Sequence, residues 1–199
     1  MDDSKNNEPF SDFLLREYDN IASAYFNIKN SISLFFRYYI LIASVPLTVF
    51  LFFLGKTSNE QKLLLSDSYA VFSGICFLTM LVGFSLMMYV LSMNFTATLY
   101  ARQVNGIRCF YYENSNLVKS SEERIRVLPI DIKLPAYSLN RSIKYLLLAF
   151  SAINSFYYAL GLRFVVDFKI EYFALNWFLV LFLQIIVCYI RVWIKASND

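Results

Sequence analysis

"SYAVFSGICFLTMLVGFSLMMYVLSMNFTATLYA", residues 68–101, holds 34 consecutive residues without Asp, Glu, Lys or Arg. As a helix this run is about 51 Å long. That exceeds the hydrocarbon core of a bilayer by roughly 20 Å. The surplus must tilt or leave the membrane, and the polar residues from Asn94 onward favour leaving.

Three shorter charge-free runs accompany it, at 38–55, 145–162 and 172–190, with 18, 18 and 19 residues. A membrane-spanning helix needs about 20 apolar residues, with about 17 as the lower limit. Composition agrees. The 199 residues are 58% hydrophobic and 17% charged, with 20 Phe and 15 Tyr. The mean hydropathy is +0.48. A soluble domain of this size could not hide so much apolar surface. The expected fold is an all-α membrane protein: four transmembrane helices, an N-terminal cytoplasmic helix, and a helical stalk extending the second span.

The expected boundaries are an amphipathic cytoplasmic helix at 1–37, a first span at 38–54 and an external loop at 55–68. A second span at 69–100 runs into a cytoplasmic helix at 101–113. A cytoplasmic segment covers 114–144, followed by a third span at 145–162, an external loop at 163–172, a fourth span at 173–193 and a tail at 194–199. The third span is the most polar, with Asn154, Ser155, Tyr157 and Tyr158. Segments 1–37, 101–144 and 190–199 hold 14 of the 18 basic residues. The positive-inside rule therefore predicts a multi-pass protein with both termini and the central segment in the cytoplasm. The opening MDDSKNNEPF lacks the basic and apolar regions of a secretory leader, so the first span is expected to direct insertion.

Leu14, Tyr18, Ile21, Tyr25, Ile28, Ile32 and Phe35 step 4, 3, 4, 3, 4, 3, an apolar seam of three heptads. Arg16, Glu17, Asp19 and Lys29 fall off it. Met93, Ala97, Tyr100, Val104, Ile107 and Tyr111 repeat the step. The two seams are expected to meet antiparallel as a hairpin below the bilayer. Beyond it, Ser120 and Glu123 form a capping-box pattern, Pro129 and Pro135 bracket an extended segment, and Asn140 is placed to cap the third span. Pro46 is expected to kink the first span. Ala70 and Gly74 form a small-xxx-small pair.

Chemistry is sparse. With no histidine, His-ligated metals and His acid–base catalysis are excluded. The three cysteines show no metal spacing and do not pair in an external loop. No phosphate loop, nucleophile elbow or paired carboxylates appear. No charge lies deep in a span to serve an ion-coupled relay. No catalytic residue, cofactor, metal or nucleic-acid partner is therefore expected. Asn154, Ser155, Asn176 and Gln184 lie within the last two spans; they either line a pore or act as polar glue between helices, and glue is favoured. Arg102, Asn105 and Arg108 follow the second span. They either snorkel to the headgroups and meet water, or bind an anionic lipid head group or acidic partner.

Tyr100, Ala101, Arg102, Asn105, Ile107, Arg108, Phe110 and Tyr111, then Leu128, Pro129 and Asp131, form a run after a membrane hairpin and ahead of two more spans. Over about residues 95–135 and in span layout, the chain resembles small uncharacterised bacterial four-span membrane proteins. Some of these are similar in layout to membrane effectors of antiviral and bacterial-conflict systems. The resemblance carries no catalytic role. Two functions follow as expectations. One is an oligomeric effector that perturbs or permeabilises the inner membrane on a cytoplasmic trigger, in antiviral defence, with membrane lipids and further copies of itself as partners. The other is a membrane anchor or sensor that recruits a cytoplasmic protein through 101–144.

Overall fold

A computed structural model of the chain describes residues 8–55, 62–114, 137, 139, 141–166 and 170–197. The described residues form four helices: α1 Glu8–Gly55, α2 Lys62–Asn114, α3 Arg141–Val165 and α4 Ile170–Ser197. Each is long and apolar enough to cross a membrane. The fold is thus all-helical, as the charge-free runs imply. The helices also extend past those runs, because helical hydrogen bonding is local and does not stop where the first charge appears. α1 is unbroken across 37 and 38, and α2 across 100 and 101. The charges at the C-terminal end of α3 and at both ends of α4 suit the helix dipoles. Arg163 lies in the last turn of α3, Glu171 in the first turn of α4 and Lys195 in its last. The capping-box, two-proline and Asn140 expectations lie outside the described residues.

The chain divides into two units. One comprises Met1–Ser31 and Met93–Ser138, the other Ile32–Ser92 and Leu139–Asp199.

In the first unit, described seam residues Leu14, Tyr18, Ile21, Tyr25 and Ile28 are all half-buried. Asp12, Arg16, Glu17, Asp19 and Asn20 are exposed. On α2, Leu99, Gln103, Gly106 and Phe110 form an exposed stripe, while Ala97, Tyr100, Val104 and Ile107 are sheltered. The side chain of Tyr111 lies outside the described residues. Lys29 departs from its expected outer position. It is half-buried, with its ammonium 5.7 Å from the Tyr25 ring centroid.

In the second unit α3 is the most buried helix and α4 the least. The α3 core positions Ile143, Leu147, Phe150, Asn154, Tyr157 and Gly161 step 4, 3, 4, 3, 4. The Tyr39 ring stacks on Phe150 at 4.7 Å, and Phe36 meets the same ring edge-on. α3 and α4 pack together, as a short connection requires of antiparallel neighbours. Ser73 Oγ on α2 donates to the Gly161 carbonyl at 2.9 Å. The close helix approaches are at Gly161 and Gly83 rather than at the Ala70–Gly74 pair. Gly74 is exposed, with nothing within 4 Å of the position a Cβ would take.

Candidate functional site

Two constellations stand out, one in each unit.

In the first unit, Tyr18, Ala22, Tyr25 and Phe26 of α1 face Ala101, Val104, Asn105 and Arg108 of α2 across a groove of about 240 Å³. Three aromatic rings meet an amide and a guanidinium here. Arg108 Nη2 donates to the Tyr18 hydroxyl at 2.7 Å, and its guanidinium carbon lies 5.5 Å from the centroid of that ring. Arg102 sits over the Tyr137 ring at 4.2 Å. Both cations thus rest on electron-rich ring faces. The spacing of the arginines off the apolar seam suggests free side chains, yet both are half-buried. A helix shelters more than the narrow stripe of a strict heptad when its neighbour is rich in tyrosine, because a tyrosine offers both a ring face and a hydroxyl. Asn105 and Arg108 therefore line the groove beside Val104, while Arg102 is sheltered by Tyr137 instead. No spacing rule could pair Arg108 with Tyr18, 90 positions earlier.

In the second unit a neutral polar layer crosses all four helices. The Tyr39 hydroxyl of α1 donates to Asn154 Oδ1 of α3 at 2.5 Å. Asn154 Nδ2 donates to Gln184 Oε1 of α4 through a long 3.4 Å contact. Ser151 Oγ donates to Met87 Sδ of α2 at 3.4 Å. Ser155 Oγ turns back onto the Ser151 carbonyl. Asn154 is 0% exposed and Gln184 5%. Among the described residues, Gln184 Nε2 has no hydrogen-bond acceptor. Gly83 makes the layer possible. A Cβ there would overlap Asn154 Oδ1 and lie 2.6 Å from Tyr39 Cε2, so only glycine lets α2 come this close to the Tyr39–Asn154 pair.

Asn154, Ser155 and Gln184 are thus brought together, and Asn176 is not. Its Nδ2 donates at 2.8 Å to the Tyr172 carbonyl of its own helix. Tyr39, Gly83, Met87, Ser151 and Tyr157 are members that residue type alone does not reveal. The 4–3 step through Asn154 and Tyr157 on α3 is the signal that points to some of them.

Tyr157 has a further role. Pro46 has no amide hydrogen, so α1 lacks one ladder bond there. The Tyr157 hydroxyl donates to the Ala43 carbonyl, next in the chain after the Ile42 carbonyl that the missing proline amide leaves without its ladder donor. The phenol thus ties α3 to the backbone of α1 one turn before the proline.

In its chemistry this layer can hold and orient helices. It contains no charged group and no nucleophile set beside a base. The chain matches no protein-family model, no curated protein and no solved structure.

Proposed function

We propose that the chain is an oligomeric effector of the bacterial inner membrane that perturbs or permeabilises that membrane on a cytoplasmic trigger, in antiviral defence. On this reading its spans insert in the bilayer with both termini inside. Residues 1–37 and 101–113 form a cytoplasmic helical stalk, and membrane lipids and further copies of the chain are its partners. One observation carries the reading. α1 and α2 each run unbroken from one unit into the other, so an event at the Arg108–Tyr18 groove acts on helices that also hold the Tyr39–Asn154 layer. Many large apolar side chains of the second unit are exposed, among them Leu78, Leu81, Leu175, Phe182 and Trp193. A surface of this kind suits lipid, and copies of the chain packed within it.

A second reading draws on the groove itself. Half-open and lined by Arg108 and Asn105, it suits an anchor or sensor that recruits a cytoplasmic partner through 101–144. Purified protein reconstituted in dye-loaded vesicles separates the two. An effector releases dye, increasingly with protein density. Vesicles that stay sealed at every density would reject the effector and leave the anchor.

A further inference from the structure

The ends of α3 and α4 away from their connection enclose a second groove, of about 210 Å³. Leu147, Ser151 and Cys188 form its buried floor. Ser151 spends its hydroxyl hydrogen inward on Met87 Sδ, which leaves the floor mainly apolar. Tyr145, Leu148 and Tyr189 line it as exposed side chains. Lys144 closes one end.

Charge at that end is one-sided. α3 opens with Arg141, Ser142, Ile143 and Lys144, and no acidic residue stands in its first turn. The first amides of a helix and the positive end of its dipole attract anions. Here two cations add to that attraction where a carboxylate would ordinarily offset it. Tyrosines favour the boundary between hydrocarbon and headgroups, their rings in the apolar layer and their hydroxyls in the polar one. An apolar slot flanked by two tyrosines and ending in a lysine has the layout of one acyl chain joined to an anionic headgroup.

We propose that this groove holds one anionic phospholipid of the surrounding leaflet. Its acyl chain lies along Leu147, Leu148 and Cys188, and its phosphate sits at Lys144. The proposal rests on the membrane reading above, and the predicted orientation places this end in the cytoplasmic leaflet, where anionic lipids attract Lys and Arg.

The test uses the full chain in nanodiscs of equal parts phosphatidylglycerol and phosphatidylcholine, released and weighed by native mass spectrometry. The parent should retain one phosphatidylglycerol per chain in preference to phosphatidylcholine. Lys144→Gln should lower that retention about fivefold, the effect of one cation near an anionic surface. Arg163→Gln, at the other end of α3, should leave it unchanged. Leu148→Trp, which fills the slot from its exposed rim, should displace either lipid. Equal retention of the two lipids by the parent, or parent-like retention by Lys144→Gln, would overturn the proposal. So would a lipid-free dimer, which would give the groove to a second copy. Recovery of the chain in the soluble fraction without detergent would instead overturn the membrane reading.

Discussion

A single methyl group at Gly83 has no room, because Asn154 Oδ1 and the Tyr39 ring occupy the position it would take. Overpacking a well-packed core costs about 1–3 kcal/mol. Losing one hydrogen bond between membrane helices costs less, about 0.6 kcal/mol on average and up to about 1.7. Gly83→Ala should therefore destabilise the chain more than Tyr39→Phe, which removes only the hydroxyl bonded to Asn154. Denaturant titration of both purified variants in detergent reads the order, and a larger loss for Tyr39→Phe would show that the layer is held by its hydrogen bonds rather than by close packing. In the other unit, Arg108 meets Tyr18 through both a hydrogen bond and the ring face. A double-mutant cycle of Arg108→Ala and Tyr18→Ala should show about 1 kcal/mol of coupling at this half-exposed site. Additive losses would mean that the two side chains are neighbours without a shared interaction.

At the scale of the element, α1 carries an interior proline and remains one helix from Glu8 to Gly55. Close to the proline, the Tyr157 hydroxyl of the neighbouring α3 donates to the Ala43 carbonyl of α1. Tyr157→Phe should cost about 1 kcal/mol, the usual net worth of a hydrogen bond. On a Pro46→Ala background the loss should persist, because an alanine amide at 46 would bond the Ile42 carbonyl and leave the Tyr157–Ala43 bond in place. Thermal unfolding of the two single variants and the double variant measures this, and a smaller loss on the Pro46→Ala background would show that the tyrosine compensates for the proline. α3 and α4 show a different contrast. α3 is the more polar of the two and the most buried helix of its unit, whereas the more apolar α4 is the least buried. The buried side of α4 is marked by Gln184 and Cys188, one turn apart, while Phe182, Leu183, Ile186 and Val187 around them are exposed.

For the whole molecule, the proposed orientation rests on charge. Fourteen of the 18 basic residues lie in the segments assigned to one side, and short basic segments resist translocation. Reporter fusions at the C-terminus and between α1 and α2 should give opposite compartments, with the C-terminus inside. The same compartment for both would reject the four-span arrangement.

The amino-acid sequence by itself determined that the chain makes long apolar helices, because a charge-free run is a property of consecutive residues and the helix satisfies its backbone locally. It also marked the sheltered stripe of residues 14–28 through the 4–3 step of Leu14, Tyr18, Ile21, Tyr25 and Ile28. It did not distinguish Gly83, where two helices nearly touch, from Gly74, which meets nothing within reach. Nor did it show that Arg108 would rest on Tyr18, that Asn154 would join Tyr39 to Gln184 while Asn176 bonded its own helix, or that Tyr157 would bond the Ala43 carbonyl close to Pro46. Those outcomes depend on which helix faces which, over separations of 115 positions for Tyr39 and Asn154 and 114 for Tyr157 and Ala43. In chains this apolar, hydrophobic periodicity discriminates poorly, since a face that meets lipid and a face that meets another helix are written in the same residues. Only the tertiary structure, by bringing particular polar groups within bonding distance, separates the two.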